Sequence, residues 1–441
     1  MSTLHGEYRR HSRTGIRTAV NLTIEDNALP TQTRDVSQSG LSVDAPIDAD
    51  LEMGDIIYVS FSNNTALKVP AKVVRLSEQN IGLELEYSRF SPADIKAIID
   101  SAPFFEKLKT HCQLALWRQA RQLGLLIINT VLRRILVTLV KPTFLFAVYG
   151  NEKGAQNYYS PSTAKLLPTL IIGSFIINRG QRGLLLGSKF YENELATNPN
   201  KIHAYLNALK REFPKVKAIA LAGRLPNFVS KAGIAIEPPY IDGSTGTRFL
   251  IWDIAQKIRE DENYCNDGII TVIGGAGRIG NKVCEDLAAD FATVIAFDSR
   301  YDRFQEVKTP SGQIFRTNDI QYLKKSRIVI HLAHHGDVIS EIMHYLPEHT
   351  LIADDTHPSI STAVRQQAEL MGLTVKKTVL HHTQFTMWPR MPGWSNRSIP
   401  GCLMETLVAV SRPEDVKDFR KFCKSAREMG FAGQLVKPLD N

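Results

Sequence analysis

The chain has 441 residues, of which 43% are hydrophobic, so it is too long for one ordinary core and predicts about three domains. Lysine and arginine outnumber aspartate and glutamate by 53 to 45. The resulting charge of +8 favours anionic ligands but is too dispersed for a dedicated nucleic-acid reader. The five cysteines form no C-x-x-C pair and the amino terminus has no apolar signal segment, which predicts a cytoplasmic protein.

The first distinctive feature along the chain is a basic stretch, YRRHSRTGIRTA, which contains Arg9, Arg10 and Arg13. Two guanidinium groups at the R-x-x-x-R spacing can each grip a phosphodiester, and can also stack on a guanine or donate to its edge. The alternative is a basic disordered arm, but strands of alternating polarity follow. Those strands are predicted at 17–23, 55–61, 68–75 and 81–85.

A second run, RDVSQSG at 34–40, supplies small polar groups that suit a guanine nucleotide. Asp35 offers a short carboxylate, Ser37 offers a hydroxyl, and Gly40 lets the backbone approach, so the run reads as a ligand-binding turn. Together the two runs resemble the motif of the PilZ family of cyclic di-GMP receptors over residues 1–100. The resemblance implies an antiparallel β-barrel that binds cyclic di-GMP through the three arginines and these three residues.

Residues 101–141 read as a helical connector without a glycine- or serine-rich linker. Their apolar stretch at 123–140 is interrupted by Arg133 and Arg134, and a charged pair at mid-depth would cost several kcal/mol in a bilayer. The stretch therefore predicts a buried or interfacial helix rather than a membrane span. Basic residues flank apolar ones over 106–141, so peripheral contact with a membrane stays open as an alternative.

After the connector, strands and helices alternate, which predicts an α/β architecture. We expect a substrate-side lobe over 142–258 and a Rossmann-type domain with a doubly wound parallel sheet over 259–400. Residues 401–441 read as two closing helices, the second with Ser411 as N-cap and Gly430 after its end. The fold prediction is a multidomain chain with an antiparallel β-barrel, a helical connector and a two-lobed α/β module.

The run GGAGRIG at 274–280 follows a β-branched strand and opens a helix, as pyrophosphate recognition requires. The candidate contacts in this run are Gly274, Gly275, Gly277, Arg278, Ile279 and Gly280. Both G-x-G-x-x-G and G-x-x-G-x-x-G fit, and the sequence does not choose between them. An alternative is an empty nucleotide fold whose glycines only close a tight turn.

Asp298 ends the strand after the glycine run and predicts the cofactor. A carboxylate there would accept hydrogen bonds from the ribose hydroxyls and repel a 2′-phosphate. This favours NAD, although Ser299 and Arg300 would also tolerate NADP.

Eight of the twelve histidines lie in 331–382. His334, His357 and His381 each follow the carboxyl end of a predicted strand, where a doubly wound sheet places its ligand crevice. Each can carry a proton near neutral pH. Adjacent histidines point in different directions on extended backbone and no metal-ligand spacing occurs, so we expect no metal site.

Cys402 follows Pro400 and Gly401 at the predicted first turn of a helix. The helix dipole and free N–H groups at that position lower a thiol pKa, and the thiolate could form a thioester that NAD(P)H reduces. The charge of Glu405, one turn further on, opposes the thiolate. A cysteine on an apolar helix is also commonly a packing residue, and this alternative stays open.

Across 142–441 the chain resembles the fatty acyl-[acyl-carrier-protein] reductases of cyanobacteria, relatives of the shikimate dehydrogenase type of two-lobed fold. The matching segments are LAGRLPN at 221–227, GSTGTRF at 243–249, GGAGRIG at 274–280, DDTHP at 354–358, GCLMETL at 401–407 and AREMGF at 426–431. The resemblance implies that Cys402 is the acyl-accepting nucleophile, followed by Glu405, and that Asp354 is a strand-end catalytic aspartate. His357 stands where the family has tyrosine, and the family's catalytic lysine has no clear match.

These features predict a cyclic di-GMP-responsive bacterial protein in which the barrel regulates an NAD(P)-dependent reductase-like module. Cys402, His357 and Asp354 are its candidate catalytic residues. The alternative is a non-catalytic signalling adaptor, with a dinucleotide-sensing or vestigial dehydrogenase-like part, that acts through a protein partner in motility, pili or biofilm control. The sequence does not specify the substrate, the direction of regulation or the oligomeric state.

Overall fold

The chain forms two compact units, and the division between them falls between Arg121 and Gln122. The first unit contains one sheet and the second contains two. The computed structural model describes residues 14–24, 27–37, 39–46, 51–61, 64–77, 79–85, 90, 92–150, 159, 167, 169–177, 180–260, 268–388 and 398–436.

The first unit is built on a closed antiparallel barrel. Its strands are β1 (Thr14–Gly15), β2 (Ala19–Ile24), β3 (Asn27–Ser37), β4 (Gly40–Asp44), β5 (Ile56–Phe61), β6 (Asn64–Leu76) and β7 (Asn80–Leu85). Six strands in the order β3-β2-β5-β6-β7-β4 close through pairing of β3 with β4, and β1 pairs with β3. Side chains alternate along β5, where Ile57, Val59 and Phe61 are at most 1% exposed. This period of two fills the barrel interior.

Four predicted strands are confirmed as β2, β5, β6 and β7. The turn predicted within 34–40 is shorter than expected, because β3 continues to Ser37 and β4 begins at Gly40, which leaves only the hairpin between them. The alternation signal of β3 is weak because a polar residue, Thr33, occupies a fully buried position. Its hydroxyl donates to Ile16 O at 2.6 Å and accepts from Thr18 N at 3.0 Å, which satisfies it inside the barrel.

The predicted helices of the connector are present. They are α1 (Pro92–Ser101), α2 (Phe104–Thr130) and α3 (Arg133–Val140). The division between the two units falls inside α2. Among the described helices, none is by itself long and apolar enough to cross a membrane. The end of α2 from Arg118 and the whole of α3, which are bent by 75°, meet the length and composition criteria only as a pair.

The second unit alternates strands and helices, as predicted. Its strands are β8 (Phe144–Val148), β9 (Thr169–Ile177), β10 (Gln181–Ser188), β11 (Ala218–Leu221), β12 (Tyr240–Ile241), β13 (Ile269–Ile273), β14 (Thr293–Phe297), β15 (Gln305–Lys308), β16 (Gln313–Thr317), β17 (Ile328–His331), β18 (Leu351–Asp354), β19 (Thr374–His382), β20 (Thr386–Trp388), β21 (Ser398–Ile399) and β22 (Phe431–Val436). Its helices are α4 (Glu192–Thr197), α5 (Pro199–Glu212), α6 (Leu225–Lys231), α7 (Ser244–Glu260), α8 (Arg278–Leu287), α9 (Thr362–Leu370), α10 (Gly401–Ser411) and α11 (Phe419–Glu428).

The first sheet of this unit has the order β12-β11-β8-β10-β9-β20. Strands β12, β11, β8 and β10 are parallel, so their carboxyl ends lie at one edge. Strand β9 runs in the opposite direction, and β20 pairs antiparallel with β9. Helix α5 shows how the sequence sets its ends. Asn198 accepts from Asn200 N at 3.0 Å, Pro199 fixes the first turn, and Lys210 and Arg211 stand in the last turn.

The second sheet confirms the Rossmann-type prediction. Its parallel strands lie in the order β16-β14-β13-β17-β18-β19, which is the 3-2-1-4-5-6 order of dinucleotide-binding folds. The order reverses between β13 and β17, so the carboxyl ends of these two strands flank the crevice where such folds bind ligands. Gly274 follows β13 at this point, and Leu332 N donates to Ile273 O at 2.9 Å across it.

The carboxyl-terminal segment differs from the prediction in two respects. It contributes a strand as well as two helices, because β22 pairs antiparallel with β19. The predicted N-cap Ser411 is wrong, since it is the last residue of α10. Helix α11 begins at Phe419, where the short carboxylate of Asp418 accepts from Lys421 N at 3.0 Å. Gly430 follows the helix with φ +92°, as predicted.

Candidate functional site

The described part of the barrel motif lies at the hairpin between β3 and β4. The Ser37 hydroxyl donates to Gly40 O at 3.1 Å and Ser37 is 3% exposed, so it closes the hairpin. A Cβ on Gly40 would lie 2.1 Å from Leu83 O, so only glycine permits the pairing of β4 with β7. Asp35 is half-buried on β3, opposite Ser42. The structure therefore gives Ser37 and Gly40 roles in the hairpin itself.

The three predicted arginines, Arg9, Arg10 and Arg13, lie outside the described residues. Two further basic residues of the barrel pair with one carboxylate. Arg34 Nε lies 2.5 Å from Asp44 Oδ1, and an Arg17 guanidinium nitrogen lies 3.1 Å from Asp44 Oδ2. These two guanidinium groups are thus already engaged within the barrel.

In the second unit, the glycine run forms a tight turn between β13 and α8. Gly274 has φ +86°, a left-handed conformation that glycine adopts without strain. A Cβ on Gly280 would lie 2.2 Å from Gly274 O, so the first turn of α8 packs directly on the loop. Gly277 is the N-cap of α8 and has no side chain to cover the helix end. This arrangement suits a phosphate group at the helix amino terminus.

The carboxylate of Asp298 accepts hydrogen bonds from within the protein that the sequence did not suggest. Its Oδ1 accepts from Arg300 N at 3.0 Å and Arg300 Nε at 2.9 Å. Its Oδ2 accepts from Ala276 N at 3.0 Å and from the other end of the Arg300 guanidinium at 2.8 Å. Burial opposes ionisation of Asp298, but these donors outweigh it and hold its pKa below the ordinary value. The Arg300 side chain covers the carboxylate and is itself 61% exposed.

The candidate nucleophile lies where two helices meet. Cys402 is in the first turn of α10, as predicted, and that turn packs against the start of α7. A Cβ on Gly243 would lie 2.3 Å from the Cys402 Cβ, and a Cβ on Gly246 would lie 1.9 Å from Gly401 O. Because glycines allow this approach, the carboxylate of Glu405 reaches Gly246 N and accepts from it at 2.9 Å.

The ionisation of these groups differs from the expectation of a lowered thiol pKa. Burial raises the pKa of the Cys402 thiol to about 12, and the nearby Glu405 adds to the rise, while neighbouring backbone N–H groups only partly offset it. Burial also raises the pKa of Glu405 to about 7, against the effect of the donors on Gly246 and Thr245. In this state the thiol is protonated, and the carboxyl group gains or loses its proton near neutral pH.

The glycine run is also joined to the start of α7. The Arg278 guanidinium forms an ion pair with Asp242, and Asp242 in turn accepts from Ser244 N at 2.9 Å. Gly243 follows Asp242 in the chain and contacts Cys402. The ion pair therefore connects the candidate dinucleotide loop to the candidate nucleophile through Asp242 and Gly243. The structure therefore brings Cys402, Glu405 and the glycine run into one region.

Three ionisable side chains stand in a row across neighbouring strands, two of them at a carboxyl end and the third inside β19. His331 on β17 is in register with Asp354 on β18, and Asp354 is in register with Lys377 on β19, so all three point to one face of the sheet. Asp354 Oδ1 lies 3.6 Å from His331 Nδ1, and Asp354 Oδ2 lies 3.6 Å from Lys377 Nζ. Of these residues, only Asp354 was predicted from the sequence to be catalytic.

Their surroundings keep this row fixed. Asp354 Oδ1 accepts from Thr356 N at 3.0 Å, and Lys377 Nζ donates to Thr356 O at 2.7 Å. Within the described residues, neither ring nitrogen of the buried His331 has a hydrogen-bond partner. Burial lowers the pKa of His331 to about 4, although Asp354 opposes this change, so the ring is neutral at neutral pH. Aligning the neighbouring parallel strands residue by residue would have placed His331 and Lys377 beside Asp354.

The three histidines selected from the sequence have different positions. His334 and His357 are exposed in loops after β17 and β18, as predicted. Desolvation and then the charge of Lys377 lower the pKa of His357, and the charge of Asp355 opposes this change. His381 does not follow a strand end, because it lies inside β19 and pairs with Ala432 of β22. No group of three or more histidine, cysteine, aspartate or glutamate residues that could hold a metal ion occurs in the described ranges.

The fold defines a closed antiparallel barrel in the first unit and an α/β architecture with a Rossmann-type sheet in the second. Residues 7–101 match the family model described as PilZ domain, so the amino-terminal part of the chain is a PilZ domain. Comparison with curated protein sequences finds no match.

Solved structures resemble each part of the chain at low identity. The inhibitor of motility MotI/DgrA of Bacillus subtilis is 19% identical over 20% of this chain, with a TM-score of 0.18, and the chain spans 47% of its length. The PilZ domain of YcgR from Escherichia coli, solved with c-di-GMP, is 16% identical over 21% of this chain and 86% of its own length, with a TM-score of 0.17. L-tryptophan dehydrogenase from Nostoc punctiforme is 13% identical over 65% of this chain and 80% of its own length, with a TM-score of 0.34.

The raised pKa of Glu405 predicts a pH-dependent contribution to stability. The folded state holds this proton up to about pH 7, whereas the unfolded chain releases it near 4.5, so stability is fully present below 4.5 and falls as pH rises through 7. The loss is on the order of 3 kcal/mol. Replacing Glu405→Gln should remove it, as measured by urea unfolding between pH 4.5 and 8. Parallel pH profiles for the wild type and the variant would contradict the assignment, since the opposite contribution of His331 is common to both.

The raised pKa of Cys402 predicts slow alkylation. At pH 8, iodoacetamide should modify Cys402 at least about tenfold more slowly than the exposed Cys112, because only the thiolate reacts. Peptide mass spectrometry over time resolves the two cysteines in one sample. Equal rates would show that the Cys402 thiolate is accessible and stabilised after all.

Proposed function

We propose that the chain is a cyclic di-GMP-responsive bacterial protein whose PilZ domain regulates an NAD(P)-dependent reductase-like unit. The single observation that carries this proposal is the presence in one chain of a PilZ domain over residues 7–101 and a 3-2-1-4-5-6 parallel sheet with a glycine turn at its switch point. The first supplies a receptor for a second messenger, and the second supplies a site for a redox dinucleotide.

Cyclic di-GMP is proposed to bind where the basic stretch meets the β3–β4 hairpin. Arg9, Arg10 and Arg13 would hold the two phosphates and stack on the guanines. Asp35 would accept from a guanine edge. The hydrogen bond within the hairpin and the close pairing of β4 with β7 support this role, because they hold the Asp35 backbone on a rigid strand pair.

The dinucleotide is proposed to be NADP rather than NAD. Both oxygens of Asp298 already accept two hydrogen bonds each, so ribose hydroxyls would have to displace the guanidinium of Arg300. Arg300 is instead exposed beside the loop, with one nitrogen 3.7 Å from the position of a Cβ on Gly277. A guanidinium at this place favours a 2′-phosphate through charge-assisted hydrogen bonds.

The reaction is proposed to be the reduction of an acyl thioester. Cys402 Sγ would attack the acyl carbonyl carbon, and its proton would pass to the carboxylate of Glu405, whose pKa near 7 allows it to hold that proton. The carrier thiol would leave as the new carbon–sulfur bond forms and would take this proton. Reduction of the Cys402 thioester would then break its carbon–sulfur bond and release the aldehyde; bound NADPH would supply the hydride, and His357 would donate the proton that the leaving Cys402 thiolate takes up. The row of Asp354 and Lys377 would fix the loop that carries His357.

A second candidate function is a signalling adaptor without catalysis. The specific observation in its favour is the pKa of Cys402, which burial raises to about 12 in this state, whereas nucleophilic cysteines are usually activated. Oxidation of NADPH with a panel of acyl thioesters, with and without cyclic di-GMP, separates the two functions. Turnover that is lost in Cys402→Ala supports the enzyme. Binding of both nucleotides without turnover supports the adaptor.

The receptor role predicts which basic residues cyclic di-GMP needs. In calorimetric titration of the full chain, the variant carrying Arg9→Ala and Arg13→Ala should bind at least about a hundredfold more weakly, because it loses two charge-assisted contacts. Lys72→Ala should bind like the wild type, since Lys72 is an exposed base of the same barrel outside both runs. Retention of binding in the double variant would exclude the proposed site.

Regulation predicts that the two ligands alter each other's affinity by the same factor. NADPH should therefore change the dissociation constant of cyclic di-GMP as much as cyclic di-GMP changes that of NADPH in the same titrations. Unchanged affinities in both directions would leave two ligand sites without coupling and would end the regulatory proposal.

The position of Arg300 predicts the cofactor preference. NADPH should bind at least about tenfold more tightly than NADH, and Arg300→Ala should remove this difference, since one charge-assisted contact is worth roughly 1.5–3 kcal/mol. Lys308→Ala, which removes an exposed base on β15, should keep the preference. A wild type that prefers NADH in fluorescence titration would show that Asp298 releases Arg300 to bind ribose.

A further inference from the structure

The end of α2 and the following α3 expose an unusual number of large apolar side chains. These side chains, named here the α2–α3 patch, are each between 40% and 71% exposed. They are Leu123, Ile127, Val131, Leu132, Ile135 and Leu139. All belong to the second unit. A spacing of four residues places Leu123 and Ile127 on one face of α2, and Ile135 and Leu139 on one face of α3. Val131 and Leu132 lie in the bend between the two helices.

The opposite face of the same helices is fixed to the second unit. Asn129 donates to Ile171 O at 2.9 Å and accepts from Ile171 N at 2.7 Å, so it pairs with the backbone of β9. Arg133 donates to Thr169 O at 3.0 Å and forms a partly buried ion pair with Glu212. A membrane-spanning arrangement would have to break this network and leave its charges in hydrocarbon. The helices are therefore anchored by one face and exposed on the other.

The segment that carries the patch has charges of one sign. No aspartate or glutamate occurs anywhere in residues 107–151, which contain seven lysine and arginine residues. Arg134 and Lys141 are exposed beside the patch, whereas Arg133 is turned inward to Glu212. Apolar side chains flanked by cations match a surface with an apolar interior and anionic headgroups.

We propose that the α2–α3 patch binds the surface of an anionic lipid bilayer, with the two helices lying in the interface. A second copy of this chain fits less well. In a twofold interface the same patch would face itself, so the cations of one copy would meet a surface with the same cations and with no acidic residue from 107–151 to neutralise them. This proposal is independent of both ligands of the proposed function.

The test is co-sedimentation of the full chain with vesicles of phosphatidylcholine alone and of equal parts phosphatidylcholine and phosphatidylglycerol. The wild type should bind only the anionic vesicles, and added salt should weaken the binding. Ile135→Glu with Leu139→Glu should reduce binding at least about tenfold. Arg134→Ala with Lys141→Ala should reduce it roughly thirtyfold, at about 1 kcal/mol for each base.

The matched control is Leu370→Glu, which makes the same change on the most exposed apolar side chain of α9, away from the patch. It should bind like the wild type, and all variants should keep the wild-type thermal midpoint because the altered side chains are exposed. Three results would each overturn the proposal: equal sedimentation with both vesicles, unchanged binding of the Ile135 and Leu139 variant, or a loss in that variant of self-association alone, seen by analytical ultracentrifugation.

Discussion

The close contact between the first turns of α7 and α10 is the constraint on which the candidate site depends. Any Cβ on Gly246 would collide with Gly401 O, so side chains larger than hydrogen would force the two helices apart. With them together, the amino ends of two helices lie in one place, where N–H groups need partners from outside their own helix. Glu405 satisfies one of these donors, and Cys402 takes its position and its burial from the same contact.

Two buried carboxylates of this unit show how neighbouring charge decides ionisation. Asp298 receives a guanidinium from Arg300 in addition to backbone donors, and its pKa is held below the ordinary value. Glu405 receives only neutral donors, and burial raises its pKa to about 7. Donors from Arg300 and the backbone therefore outweigh desolvation at Asp298, whereas at Glu405 the neutral donors do not, and the charge of Asp242 adds to the rise of its pKa. The unit thus holds one fixed anion beside the glycine run and one group that titrates beside Cys402.

Sequence patterns predicted those parts of the fold whose signal is local. The β-branched strands, the glycine turn and the helix that begins at Gly401 were all predicted, because their periodicity and their turn and capping residues lie within a few positions of each other. Strand β3 was missed because Thr33 meets its hydrogen bonds inside the core, where an apolar residue was expected. His331 and Lys377 were missed because their position beside Asp354 arises from the register of three strands. The contact of Arg300 with Asp298 was missed because it depends on the conformation of the arginine side chain.

Arg133 and Arg134 illustrate why adjacent residues with one chemistry require a structure. In the sequence the pair serves only to argue against a membrane span, since two charges would enter the bilayer together. On α3 successive side chains point about 100° apart, so the pair divides. Arg133 joins Asn129, Thr169 and Glu212 inside the second unit, and Arg134 remains outside beside the apolar patch. Arg133 fixes α3 to the second unit by one face, and the apolar face of the helix therefore stays at the surface.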